Sequence, residues 1–472
     1  MTLQPLIFYA SLFILSALVL KAIKHSRRLP PSPWALPIVG HLHLLGPSLH
    51  HSFHKLSTRY GPLMSIRIGS VLGVVTSSPD VTKELLKTND VTFAARNSSA
   101  AIECLTYNSS FAFAPNGPYW QFMKKLTTVE LLGSRTLLQF LPIRTNELHE
   151  LIRFLFEKSK SGGSVNITDE LLKFTNNIIS QMMLSIRCSG KGGQAEECRT
   201  LAREVTEIFG EFNSSDIIWI FKSFDIQGFR RRFKDIHRRF DSLLENIITN
   251  REKLRKEKKE SEEKVKDLLD ILLDVLENQN SEIKLTRDHI KALFLDFLTA
   301  GTDTSSMTVE WALAELINHP MVLQKAQQEI DQVFGRNRLV QESDVPHLPY
   351  IQAIIKESFR LHPPIPLLNR RALEDCKIGN YIIPKGTLLF VNLWGLHYQL
   401  LPFGTGRRGC PGLSLAMQEL PTTLAAMIQC FNFKVTSPDG VVDMSERPGL
   451  SSPRAQDLVC VPVARCAPSI LN

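Results

Sequence analysis

The sequence predicts a mainly α fold with small β-sheets, one large domain behind an N-terminal membrane anchor helix. Three observations carry this. An apolar stripe at helical spacing runs through Thr286–Asn318 (Ile290, Leu293, Leu295, Phe297, Leu298, then Val309, Trp311, Leu313, Leu316). Two alternating, β-rich segments, 63–68 and 71–76, flank Gly69-Ser70 and read as a hairpin. Leu6 to Leu20 is almost wholly apolar and is followed by Lys21, Lys24, His25, Arg27 and Arg28. With 43% hydrophobic and 22% charged residues over 472 positions, the chain can bury a large core. The formal charge of +8 suits an anionic membrane face or an acidic partner and gives no sign of nucleic-acid binding. Eight scattered cysteines without a C-x-x-C pair exclude a zinc ribbon and a disulfide framework.

Taken in order, residues 1–28 read as an uncleaved anchor. No basic segment precedes the apolar run, and with its flanks it just spans a bilayer at about 1.5 Å per residue. Its positive flank stays cytoplasmic. Residues 29–40 begin Leu29-Pro30-Pro31-Ser32-Pro33, a stiff hinge, because proline fixes φ and restricts its neighbour. Residues 41–472 form the main domain. Trp120 and Lys124 lie one helical turn apart and can face one side. Arg251 to Lys266 is a mixed-charge run, read as solvated helix surface or loop.

Within the long helix, Ala300-Gly301-Thr302-Asp303-Thr304 breaks helix propensity. A local rule broken inside a strong pattern points to function. Glu357 and Arg360 sit at i, i+3 and can pair. The apolar stretch Ile365-Pro366-Leu367-Leu368 follows, and then Arg370. Finally Phe403-Gly404-Thr405-Gly406-Arg407-Arg408-Gly409-Cys410-Pro411-Gly412 opens a helical run. Pro411 suits the first helical position, which sets the Cys410 sulfur at a helix N-terminus favouring a thiolate.

That last string has the spacing F-x-x-G-x-R-x-C-x-G and resembles the haem-binding loop of the cytochrome P-450 family. The likeness extends over nearly the whole chain. It implies the cytochrome P-450 fold and haem b (iron protoporphyrin IX) held through Cys410, whose thiolate donates electron density that favours O–O cleavage. Trp120 and Lys124 resemble the family's W-x-x-x-R helix and imply propionate binding, with Lys in place of Arg. Arg370 and Arg408 are implied as further propionate ligands. Asp303 and Thr304 match the family's proton relay. Glu357 and Arg360 match its E-x-x-R, a buried structural pair behind the haem. Cavity residues implied by position are Phe111, Phe113, Phe297, Ala300, Ile365, Leu367, Leu368 and Leu450.

Something is missing. Trp394 runs almost directly into Phe403, and Arg360 and Cys410 are only fifty positions apart. Family members carry a few dozen more residues here, with a P-x-R-F-type motif whose Arg joins the E-x-x-R pair. We read a clean internal deletion around 394–398. Removing one member of a buried ionic network costs roughly 3–5 kcal/mol, so weak haem retention is expected.

Local strings such as Phe212-Asn213-Ser214-Ser215-Asp216-Ile217-Ile218-Trp219, Phe224-Asp225-Ile226-Gln227-Gly228 and Met444-Ser445-Glu446-Arg447-Pro448-Gly449-Leu450 look plant microsomal. They are similar to the flavone synthase II and flavanone 2-hydroxylase branch. That implies a flavanone, a small apolar phenolic substrate, oxidised by 2-hydroxylation or desaturation. Electrons would come from NADPH through an NADPH-cytochrome P-450 reductase at the endoplasmic reticulum membrane, in contact with lipid. Two alternatives stay open: a relative oxidising isoflavone precursors or triterpenes, and an inactive deletion form without stable haem.

Overall fold

The computed structural model describes residues 28–188, 194–211, 213–218, 221, 225, 227–257, 266–396, 401–437 and 439–471. The apolar run 6–20 lies outside them, as do Phe212, Trp219, Phe224, Ile226, 258–265 of the mixed-charge run and 397–400 of the junction. Among the described residues no helix is long and apolar enough to cross a membrane.

The fold is mainly helical. Its elements include α1 (Leu49–Tyr60), β1 (Leu63–Ile68), β2 (Val71–Thr76), α2 (Pro118–Lys125), α3 (Leu141–Ser161), α4 (Ile167–Leu184), α5 (Gln194–Gly210), α6 (Phe229–Glu257) and α7 (Arg287–Asn318). After these come α8 (Pro349–Leu361), β3 (Leu367–Arg371), β4 (Leu388–Asn392), α9 (Leu413–Cys430), β5 (Phe431–Val435) and β6 (Val459–Ala464). One sheet has the order β1-β2-β4-β3. The hairpin β1/β2 is antiparallel with Ser65 opposite Val74, β4 joins parallel with Leu389 opposite Val74, and β3 closes antiparallel with Leu368 opposite Val391. The expected turn is there: Gly69 has φ +59°, the left-handed conformation that glycine adopts freely.

The proline-rich segment 30–33 is tied down rather than loose. Prolines donate no N–H, but their carbonyls accept: Ser65 N donates to Pro31 O at 2.8 Å and Ser65 Oγ to Pro30 O at 2.8 Å.

The main core gathers α3 to α9, with Leu293, Phe294, Leu298, Ala312 and Leu313 of α7 buried at its centre. Thr286 starts α7 with a reciprocal cap: His289 N donates to Thr286 Oγ1 at 3.3 Å and Thr286 N to His289 Nδ1 at 3.1 Å. The mixed-charge run proves partly structural, a correction to the reading as solvated surface. Arg251 bonds Asp267 at 2.7 Å and Asp270 at 2.9 Å, and Arg255 bonds Asp274 at 2.5 Å. These pairs hold the end of α6 against the helix Leu268–Glu277.

Candidate active site

The Cys410 loop is shaped by glycine. Gly406 has φ +69°, and a Cβ there would lie 2.7 Å from Asp90 Oδ1 and 2.9 Å from Leu86 O. Only glycine lets Arg407 N reach the Asp90 carboxylate, at 3.2 Å. Cys410 N donates to Phe403 O at 2.8 Å, and Phe403 meets Phe359 of α8 edge-on at 5.2 Å between ring centres. Helix α9 begins at Leu413, not at Pro411 as expected; Pro411 lies in the preceding turn and Gly412 is the N-cap. The sulfur still sits at the helix start. Burial pushes the Cys410 thiol up, while N–H groups of Gly412 and Leu413, with Lys124 and Arg96 nearby, pull it back. Such donors suit an anionic sulfur that binds a metal.

Beside the thiol lies a cluster of cations. Trp120 is 4% exposed, Arg370 2% and Arg408 7%. Lys124 Nζ donates to Gly409 O at 2.7 Å. Arg408 lies over the Trp120 ring, 4.5 Å from its centre, and donates through Nε to Ala94 O at 2.6 Å and through Nη2 to Ala114 O. Burial, then Arg96 and Arg408, push Arg370 down to about 8; burial, then Arg96, push Arg408 down to about 10; and burial pushes Arg96 down to about 10. Guanidinium groups stay charged, so this repulsion acts as an affinity for anions. Donors stand ready: Trp120 Nε1, Arg96 Nε, Arg370 Nη2 and Arg408 Nη1 are buried with no hydrogen-bond partner. Orphaned buried donors of this kind are costly and call for a ligand.

Several of these groups are enclosed by protein yet reachable by solvent: Cys410, Arg96 and Asp296 among them. Side chains enclosed by protein and still reached by solvent border an internal hollow. Ala300 is exposed in the middle of α7, whose neighbours Leu298 and Ala312 are fully buried. These residues suit haem: a solvent-reachable thiol at a helix start, and beside it orphaned cationic donors suited to two carboxylates.

The remaining residues named from sequence divide. Phe111 is buried and lies nearly parallel to Trp120, 6.3 Å between ring centres. Phe113 meets Phe209 edge-on at 5.9 Å. Phe297, Ile365 and Leu450 are half-buried. Leu368 packs with Leu389 and Val391 on one side of the sheet, and Leu367 packs against Phe53 and Ile66 on the other. Both therefore serve the sheet core. Thr304 Oγ1 donates to Ala300 O at 2.6 Å, so the helix is unbroken there. Asp303 turns to α5, bonding Thr206, and burial pushes its carboxyl up. Gly301 has a packing reason: a Cβ would lie 2.8 Å from Ile179 Cδ1 of α4.

Glu357 and Arg360 do pair, at 2.6 Å, but with side chains 54% and 32% exposed. This corrects the expectation of a buried pair. Exposed pairs contribute about 0–1 kcal/mol, so the buried-network figure does not apply to this partly exposed pair.

Two residues escaped the sequence reading. Arg96 lies in a turn-rich stretch with no motif, and only the bridge between Ala95 and Arg371 brings it beside Arg370. Asp296 looked like one polar residue on a helix. In the fold it accepts from Ser110 Oγ at 2.6 Å and from Ala112 N at 3.3 Å. Burial pushes it up to about 7 despite those donors and the N–H of Phe111.

Comparison with known proteins follows the same lines. A family model described as Cytochrome P450 matches in two segments, residues 30–400 and 396–461. "Cytochrome P450 93B2" of Gerbera hybrida is 55% identical, over 98% of this chain and 96% of that protein. "3,9-dihydroxypterocarpan 6A-monooxygenase" of Glycine max is 46% identical, over 96% and 97%, and "2-hydroxyisoflavanone synthase" of Glycyrrhiza echinata 42%, over 94% and 93%. A solved zebra fish cytochrome P450 with progesterone superposes with TM-score 0.76 at 25% identity, covering 89% of this chain and all of that one.

Proposed function

The chain belongs to the cytochrome P450 family of oxygen-dependent monooxygenases, in the plant 93 branch, and on that premise we propose a flavanone as its substrate, oxidised by 2-hydroxylation or desaturation. The observation that carries the reading is the pair Phe111, nearly parallel to the Trp120 ring that Arg408 overlies, and Phe113, edge-on to Phe209, which we take as an aromatic wall for the substrate. Flat aromatic side chains favour a flat, apolar ring system. Two relatives bear names for work on such molecules, an isoflavanone and a pterocarpan.

Haem, held by Cys410 with Trp120, Lys124, Arg96, Arg370 and Arg408 around its carboxylates, would supply the oxygen-activating chemistry. The protein's part is to exclude water, orient the substrate and manage protons. Thr304 keeps its hydroxyl proton on Ala300 O at 2.6 Å, one rotation from release. Asp303 holds a proton more readily than an exposed carboxyl because it is buried. Reductase-delivered electrons from NADPH and anchoring in the endoplasmic reticulum membrane through 6–20 complete the proposal.

The test is turnover of naringenin by microsomes holding this chain, reductase and NADPH, with products identified by mass spectrometry. A flavone or 2-hydroxyflavanone supports the reading. Turnover of an isoflavone precursor or triterpene, with none of naringenin, replaces it.

The two-segment family match favours a second reading for the chain as it stands: a deletion form that holds haem poorly. A reduced, carbon-monoxide difference spectrum separates the two. A thiolate-type Soret band supports the enzyme; well-expressed protein without that band supports the haem-poor form.

A further inference from the structure

Asp296 is enclosed by protein on α7, and the groups that bond it are neutral. Its carboxylate is spent on one short segment. Ser110 Oγ donates to Oδ1 at 2.6 Å, Ala112 N to Oδ2 at 3.3 Å, and the Phe111 N–H also bonds it. A buried carboxylate balanced only by N–H and O–H donors is costly, and stays because something is gained by it. The segment has no helix or strand pairing of its own between Ser110 and Ala114. It follows Tyr107 and Asn108, both at positive φ, +53° and +52°. Its far end is held from the other side of the hollow, where Ala114 O accepts from Arg408 Nη2. Between the two fastenings, Phe111 lies against Trp120 and Phe113 against Phe209.

We propose that Asp296 is a positioning residue that fastens segment 110–114 to α7 and so sets the aromatic wall against which the substrate is held. The ligand's identity rests on the flavanone reading; the fastening does not. Because the same segment ends on Arg408, it also joins the substrate side of the hollow to the Cys410 loop. Within the segment Phe113 N donates to Ser110 Oγ at 3.3 Å and Ala114 N to Ser110 O at 2.8 Å, and the carboxylate ties that turn to α7.

The test uses the full chain with Asp296→Asn, which keeps shape and one acceptor, and Ser110→Ala, which removes one donor to the carboxylate and the acceptor of Phe113 N. Hydrogen exchange of 109–114, which needs neither haem nor substrate, should speed at least tenfold in Asp296→Asn and less in Ser110→Ala, while amides of α9 stay unchanged. On haem-loaded protein, naringenin should bind about tenfold more weakly by difference spectrum, while imidazole, which needs no aromatic wall, binds as before. Unchanged exchange in 109–114 overturns the fastening. Faster exchange with unaltered naringenin affinity overturns the role in substrate fit. If the wild-type chain binds no naringenin, the flavanone reading fails, and exchange alone decides the fastening.

Discussion

Glu419 shows what one buried group does to the whole. It lies on α9, 4% exposed, with Oε1 unpartnered. Burial pushes its carboxyl up to about 8 against the relief from Arg144. The unfolded chain releases that proton near the ordinary carboxyl value of 4.5. Between these values the folded state holds a proton that the unfolded state has lost, so stability falls as pH rises, by roughly 1.4 kcal/mol per unit. Glu419→Gln should therefore unfold at nearly the wild-type denaturant midpoint at pH 5 and at a clearly higher one at pH 8. Equal shifts at both pH values would show that the carboxyl is already ionised. Site residues with a spacing motif, Cys410, Trp120, Lys124, Arg370 and Arg408, could be read in the sequence because one loop or one helical turn fixes their relation. Arg96 and Asp296 could not, since only tertiary approach gives them partners.

Helix α7 was legible at the scale of an element, from its stripe and its Thr286 cap, and so was the β1/β2 hairpin. The break in propensity at 300–304 points to function in the sequence; in the fold the helix runs on unbroken and the glycine admits Ile179 of α4. Sequence shows an unfavourable residue; only the neighbour shows why. Gly301→Ala should gain about 1 kcal/mol in helix propensity and lose about 1–3 kcal/mol to overpacking. A net loss near 1 kcal/mol in urea unfolding is expected, and Gly301→Ala with Ile179→Val should recover most of it. No recovery in the double variant would mean that the contact with Ile179 is not what requires glycine. Thr286→Ala, which removes the cap, should cost about 1 kcal/mol in the same measurement.

At the scale of the molecule, what counts is where the chain is short. The Gerbera relative aligns over 493 positions, more than the 472 residues of this chain. The family model resumes at 396 after reaching 400. On the described side of that junction, β4 ends in a turn at Trp394–Leu396. The sign of a shortening was legible in the sequence, because flanking motifs made a missing one visible. Its cost was not: the sequence suggested an unbalanced buried pair, whereas Glu357 and Arg360 are wetted. Energy is then lost less through those charges than through backing for the Cys410 loop, which keeps Phe359 against Phe403 as one support. Thin backing should act on the rate at which haem leaves. Haem-reconstituted chain mixed with excess apomyoglobin should transfer its haem at least tenfold faster than the same chain carrying the Gerbera relative's residues at the junction. Glu357→Gln should change the rate by less than twofold, because the pair is partly exposed and such pairs contribute little. Equal transfer rates for the chain and the grafted form would show that the loop needs no such backing. A large effect of Glu357→Gln would show instead that the pair, although exposed, carries the load.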